Sequence, residues 1–323
     1  MKRIIGISLA ALALAACGNE ADLDDTTSAP PPPAEETNAS DDGLETVSPE
    51  EAGYTVEDAV QGSWRTDEER ARDPYRHPVE TLAFLGIEGD DTVIELWPGG
   101  GWYTNILAPW LHQNGGQLIA ATFSPDRSER AAEIIEDYKT NYAANPGTFG
   151  QIEYTVYDAE AEPMGEPESA DAVLTFRNIH NWMSGGHADK FFEEAYRVLK
   201  PGGVLGVVEH RLPSSQEQDP SAPSGYVHQD YVKGLAEAAG FEFEASSEVN
   251  ANPADTADHP FGVWTLPPVA RTEDRDGNTP EGFDPERYLE IGESDRMTLK
   301  FVKPDTSNES EEADPADDEP AAE

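Results

Sequence analysis

With 323 residues, the chain has room for one large domain or two small ones. Its 65 acidic residues against 21 basic ones, a formal charge of −44, exclude nucleic acid and electrostatic docking on anionic lipid, since both partners need cationic surface. A single cysteine excludes an internal disulfide and a thiolate metal cluster.

Lys2 and Arg3 precede an apolar run from Ile4 to Ala15 that is too short to cross a bilayer as a mature helix, so the start reads as an export signal. Leu14-Ala15-Ala16-Cys17 resembles the lipobox of bacterial lipoproteins. The resemblance implies a signal peptide over 1–17, lipidation at Cys17 and contact with the membrane through that anchor alone. Gly18 and Asn19, with no aspartate after the cysteine, imply retention at the outer membrane on the periplasmic side. The other reading of Cys17, a buried free thiol, suits a position inside a signal segment poorly. Residues 18–53, rich in Pro, Ala and acids, are expected to form a disordered tether. Residues 304–323, without a basic or aromatic side chain, are expected to be a disordered acidic tail. The folded body is then 54–303.

Within it, Asp67–Arg72 is a charged helical run, and Pro78 opens a helix to Leu85. Apolar β-prone runs predict strands at Val93–Leu96, Gln117–Ala121, Ile152–Val156, Ala172–Phe176, Val204–Glu209, Phe241–Ser246 and Met297–Val302. Helical periodicity falls between them at Ile106–Leu111, Ser128–Tyr138, Ala188–Leu199 and Gln229–Ala239. Alternation of this kind predicts an α/β fold with a mainly parallel sheet and helices on both faces. Residues 250–291 interrupt it with a long Pro- and Asp-rich insertion whose aromatic islands, Phe261 to Trp264 and Tyr288, are expected to pack over the sheet edge or a pocket.

The first strand ends in Glu95-Leu96-Trp97-Pro98-Gly99-Gly100-Gly101-Trp102-Tyr103. A strand, a glycine turn and a helix start let a backbone approach a ligand closely, although the same pattern also makes an ordinary turn. Glu95 is placed to accept hydrogen bonds from a ligand hydroxyl or amine. The acidic-x-x-x-Gly-x-Gly spacing resembles the first motif of class I S-adenosylmethionine (SAM) dependent methyltransferases, with Trp97 where those enzymes usually carry glycine. Val156-Tyr157-Asp158-Ala159, Asp171 to Asn181 and Arg197-Val198-Leu199-Lys200-Pro201-Gly202-Gly203 fall where that family expects its third strand end, its active-site loop and its turn into the fifth strand.

The resemblance covers Val93 to about Val302. It implies a seven-stranded Rossmann-like sheet with an antiparallel last strand, and SAM as the cofactor. It implies a SAM-binding set of Glu95, Trp97, Pro98, Gly99, Gly100, Gly101, Tyr103, Thr122, Phe123, Asp158, Ala159 and Arg177. Asp158 matches the acid that holds the adenine amino group, with a turn aspartate as the alternative. Thr122 stands where a ribose-binding acid is usual. The wording around Trp97 and Asn252-Pro253-Ala254-Asp255 is similar to a branch of uncharacterised predicted methyltransferases that often carry export signals.

His180 is the candidate base, because histidine titrates near neutrality, with Asn178 and Asn181 to orient the acceptor; a hydrogen-bonded loop histidine is the alternative. Glu209 and His210 form a second candidate acid–base pair. Trp97, Trp102 and Tyr103 can face a sulfonium or serve as core. The seven histidines lack metal-ligand spacing, so no metal is expected. Arg70, Arg72 and Arg76 suit an anionic group, or ion pairs with Glu68, Glu69 and Asp73. The Asn/Asp-Pro-Pro-aromatic motif of amino-group methyltransferases is absent at Asn178 to Asn181, which disfavours DNA-base methylation, and a small-molecule acceptor is the expectation. A ligand-binding lipoprotein on the same fold is the alternative, and a dehydrogenase is disfavoured by the missing Gly-x-Gly-x-x-Gly phrase.

Overall fold

The computed structural model describes residues 53–158 and 163–305. Cys17, the signal and tether segments, Ala159 and the acidic tail lie outside the described residues.

Four short helices come first: α1 (Val56–Val60), α2 (Asp67–Arg70), α3 (Asp73–Arg76) and α4 (Pro78–Leu85). Thr55 and Thr66 start the first two with reciprocal caps, each hydroxyl accepting from the N–H three residues on while Asp58 or Glu69 accepts from the cap's own N–H. Then come β1 (Thr92–Leu96), α5 (Thr104–Asn114), β2 (Gln117–Thr122), α6 (Glu129–Ala143), α7 (Pro146–Phe149) and β3 (Glu153–Val156). The second half holds β4 (Ala170–Phe176), α8 (Ile179–Gly185), α9 (Ala188–Val198), β5 (Leu199–His210), α10 (Gln229–Ala239), β6 (Glu242–Ser247), α11 (Pro285–Ile291) and β7 (Arg296–Val302).

The strands form one sheet in the order β3-β2-β1-β4-β5-β7-β6. The first five pair in parallel, and β7 runs antiparallel to both β5 and β6. This is the class I methyltransferase sheet, Rossmann-like with an inverted last strand. Its strand order reverses direction at β1, and ligands in such sheets gather beyond the carboxyl ends at that switch point.

Alternation along the strands sorts the core into two layers. Ile94, Leu96, Ile119 and Ala121 face the layer completed by α9 and α10 through Phe191, Phe192, Val198, Val232 and Ala236. Val93, Leu118, Ala120 and Leu174 face the opposite layer, completed by Leu82, Leu85, Ile106, Leu107 and Leu111 of α4 and α5. The period of two along each strand makes this division unavoidable once both faces are covered. No described helix is long and apolar enough to cross a membrane.

Two elements depart from the sequence expectation. The stretch after β4, expected as a loop, is helix α8. The insertion at 250–291 contains a short 3₁₀ turn at Gly262–Thr265 and helix α11. It is pinned by side chains: Asn250 donates to Thr81 and Thr298, Asn252 to the Ile291 and Glu293 carbonyls, and Asp255 accepts from Tyr226 and the Asp295 N–H.

Candidate functional site

A cavity of about 460 Å³ opens at the carboxyl ends of β1, β4 and β5. Its floor is the glycine turn, one wall comes from α2 and α3, and the 3₁₀ turn with Leu266 to Val269 covers it, as the aromatic islands of the insertion led one to expect.

At the floor, Trp97 takes a left-handed backbone (φ 48°). That conformation is costly for a bulky residue and is what the glycine usual at this position supplies. The indole N–H donates to the Tyr157 carbonyl at 2.9 Å, and the ring meets Phe123, Trp182 and Phe191 edge-on. The Arg127 guanidinium lies 4.6 Å from its centre. Gly99 and Gly100 line the cavity, and a side chain at either would meet nothing within 4 Å, so their backbone stands bare to a ligand. Gly101 differs: with φ 84°, an added Cβ would lie 2.1 Å from the Tyr142 oxygen. It is a packing position.

Glu95 lies on the cavity wall but is engaged within the protein. Its Oε2 accepts from Thr104 Oγ1 at 2.6 Å, and Thr104 in turn meets the Tyr138 hydroxyl at 2.9 Å. Burial pushes the Glu95 carboxyl up to about 7, against the lowering effect of the Thr104 hydrogen bond. Tyr103 stacks on Phe176 with centroids 3.6 Å apart and walls the cavity beside it.

Beyond β4 and β5 the chemistry concentrates. Glu209 is fully buried; its Oε2 accepts the Ile179 N–H at 2.6 Å, and Oε1 accepts the His210 N–H at 2.8 Å. The same Oε1 lies 3.1 Å from His180 Nδ1. A carboxylate already accepting two main-chain N–H bonds accepts a third from the imidazole. The network therefore assigns the proton to Nδ1 and leaves the His180 Nε2 lone pair free. Glu209 thus pairs with His180 rather than forming the expected pair with His210, and it stands behind the wall instead of on it. His210 contacts Ser294 Oγ through Nδ1. Burial, then His180 and the nearby arginines, hold its imidazole well below the usual histidine value, so it is neutral.

The fold brings His180, Glu209 and His210 together with one ligand-type atom each within 4.8 Å of the others, a grouping that the spacing of histidines along the chain does not reveal. Glu209's three hydrogen bonds, one of them to His180, engage both carboxylate oxygens.

The remaining wall is cationic. Glu293 receives Arg72 Nε at 2.6 Å, Arg76 Nε at 3.1 Å and Arg296 Nη1 at 3.0 Å. Burial works against the Glu293 carboxylate, but the three arginines hold it at about 2. Arg76 Nη1 and Nη2 and Arg72 Nη2 are buried without a partner among the described residues. The Arg76 guanidinium rests 4.5 Å from the Trp102 ring. Arg177, in a left-handed conformation (φ 63°), also lines the cavity. The sequence expectation that Arg72 and Arg76 pair with nearby acids is corrected: Asp73 pairs with Arg65, and Glu69 caps α2. Arg70 is tied to the Arg65 and Gly62 carbonyls.

Of the residues singled out from sequence, Glu95, Trp97, Pro98, Gly99, Gly100, Tyr103, Arg177, Asn178, His180 and His210 converge on the cavity. Gly101, Thr122, Phe123, Asp158 and Glu209 are not on its wall. Thr122 donates to the Thr155 carbonyl, and Asp158 accepts from the Ser124 N–H and Arg127. The Asn178 amide nitrogen is committed to the Leu96 and Trp97 carbonyls, which leaves its oxygen for a ligand. Asn181 is exposed on α8, away from the cavity. Sequence reasoning did not single out Glu293, Ser294 or Arg296; the insertion separates them from every motif.

Residues 96–207 match the sequence model described as the methyltransferase domain. Over 138 residues the chain is 33% identical to the ubiquinone/menaquinone biosynthesis C-methyltransferase UbiE of Hydrogenovibrio crunogenus, covering 42% of this chain and 46% of that protein. Over 127 residues it is 27% identical to the demethylmenaquinone methyltransferase of Protochlamydia amoebophila, covering 39% and 47%. The chain thus spans about half the length of the curated relatives it matches. Among solved structures it is similar to a SAM dependent methyltransferase from Aquifex aeolicus, at 20% identity and a TM-score of 0.45, covering 56% of this chain and 87% of that one. The stretch that matches the methyltransferase-domain model runs from the end of β1 into β5.

Proposed function

We propose that the protein transfers a methyl group from SAM to a small-molecule acceptor in the cavity at the ends of β1, β4 and β5. One observation carries the reading: the stretch matching the methyltransferase domain begins at Leu96 on the cavity wall and spans the glycine turn and the end of β4 with Arg177, Asn178 and His180, which also line it. The bare backbone at Gly99 and Gly100 suits a cofactor lying close to the main chain. Gly99, Gly100, Trp97 and the Asn178 oxygen are the groups that would hold SAM. When bound, it supplies an electrophilic methyl on a sulfonium.

The chain's own residues do the rest. His180 Nε2 takes the proton of an acceptor that needs deprotonation, and Glu209 fixes the tautomer and steadies the imidazolium that results. His210, kept neutral by burial, adds no competing charge beside it. Leu266, Val263 and Trp264 exclude water from above.

A second reading, a ligand-binding protein without transfer, draws support from the placement of Thr122, Phe123 and Asp158 outside the cavity wall. Calorimetric titration of the full chain with SAM and its demethylated product S-adenosylhomocysteine (SAH) tests the first reading. Micromolar binding, weakened at least about tenfold by Gly100→Leu, supports it, and absence of binding at millimolar ligand overturns it.

Export and lipid anchoring at Cys17 belong to the same proposal and rest on the lipobox resemblance. The expected outcome is incorporation of labelled fatty acid in a bacterial host that Cys17→Ser abolishes; unlabelled wild-type protein contradicts it.

A further inference from the structure

The charge at the cavity's far wall is larger than the proposed cofactor can answer. Arg72, Arg76 and Arg296 all contact Glu293, and Arg177 faces the same space with no side-chain hydrogen bond or ion pair among the described residues. Three of the chain's 21 basic residues therefore converge on one buried carboxylate and a fourth faces the same space, in a protein whose formal charge is −44. Three guanidinium nitrogens, two on Arg76 and one on Arg72, are buried with no acceptor among the described residues. A buried donor left unmatched costs roughly 1–3 kcal/mol, and more when it is charged, so an arrangement with several is completed by a ligand that accepts from them. The Arg177 backbone adds a second sign, because a left-handed non-glycine residue at a cavity rim is strain that clusters where ligands are clamped.

We propose that Arg72, Arg76 and Arg177 hold an oxyanion of the methyl acceptor, so that the acceptor is a small molecule bearing a carboxylate or phosphate. The proposal rests on the methyl-transfer reading of the site. SAM carries one carboxylate against an ammonium and a sulfonium, a net positive charge, and its entry deepens the cationic surplus rather than relieving it. The balancing charge must come from the second substrate. Planar guanidinium forks match carboxylate and phosphate oxygens two at a time, which also fixes the acceptor's orientation toward His180. The burial that draws the Arg76 guanidinium down to about 9, with Arg177 as the next cause, agrees with cations lacking their anion.

The test uses the full chain, inorganic phosphate as probe, chloride-matched ionic strength, and titrations with and without saturating SAH. Phosphate is expected to bind the SAH-saturated protein. Arg177→Met is expected to weaken phosphate at least about tenfold while leaving SAH affinity within about threefold. The free variant should also melt at a higher temperature than wild type, since it loses an unpartnered cation; this reading separates a binding role from a structural one. If phosphate competes with SAH and Arg177→Met weakens both alike, the arginines serve the cofactor's own carboxylate and the proposal falls. If SAH binds and phosphate does not, the acidic acceptor is overturned while the methyl-transfer reading stands. If SAH itself does not bind, both fall.

Discussion

The two sides of the sheet's carboxyl rim are built on opposite principles. At the ends of β2 and β3 most polar groups are answered within the protein: Asp158 by Ser124 and Arg127, Thr122 by the Thr155 carbonyl, and the Trp97 indole by Tyr157, with the Thr155 hydroxyl the buried exception among the described residues. At the ends of β4 and β5, and on the arginine wall facing them, they are not. Arg72 Nη2 and Arg76 Nη1 and Nη2 are buried there without a partner among the described residues, while the hydrogen bonds of His180 and Asn178 engage Nδ1 and the amide nitrogen. Internal satisfaction favours a fixed structure, whereas groups held rigidly and left unmatched favour a ligand. The site is therefore best located at β4 and β5, with the glycine turn as its floor.

The largest expected effect breaks the unmatched side. Glu293→Ala strands Arg72, Arg76 and Arg296 without their shared carboxylate and should cost about 3–5 kcal/mol in denaturant unfolding. A loss below about 1 kcal/mol would mean that the arginines are held by something other than Glu293.

The next effect tests Glu95 where the two sides meet. Its folded carboxyl lies at about 7 against 4.5 for the free group. A raised acid favours the folded state fully below the lower value and loses that contribution as pH climbs through the upper one, here about 3 kcal/mol. Stability of the wild type relative to Glu95→Gln should accordingly fall between about pH 5 and about pH 8. A flat difference would show that the buried carboxylate is solvated or otherwise neutralised.

A smaller effect sharpens the distinction inside the glycine turn. Gly101→Ala places a methyl against Tyr142 at a left-handed backbone and should cost about 2 kcal/mol or more. Gly100→Ala meets open space and should change stability by less than about 0.5 kcal/mol. Equal costs would remove the assignment of Gly101 to packing and Gly100 to the ligand.

The sheet was legible because each strand is an apolar run closed by a turn, and Arg197 to Gly203 announces a helix stop before a buried strand. Within the site, the glycine turn was legible for the same local reason. The His180–Glu209 pair was not, since the two lie 29 residues apart on different strand ends and meet only after β4 and β5 pair. The arginine wall was misread because Glu68, Glu69 and Asp73 are near in sequence, whereas Glu293 lies 217 positions from Arg76. Local spacing finds partners one helical turn away, and a parallel sheet assembles its rim from distant ends. Trp97 departs from the motif's usual glycine; in the structure it takes a left-handed backbone conformation and lines the cavity.

The most direct test of the account is SAH titration of wild type, Gly100→Leu and Asp158→Ala in parallel. Binding in the micromolar range that falls at least about tenfold in Gly100→Leu and stays within about threefold in Asp158→Ala places the ligand on the open side, as argued. Loss of affinity in Asp158→Ala with none in Gly100→Leu would put the cofactor at the ends of β2 and β3 and contradict it.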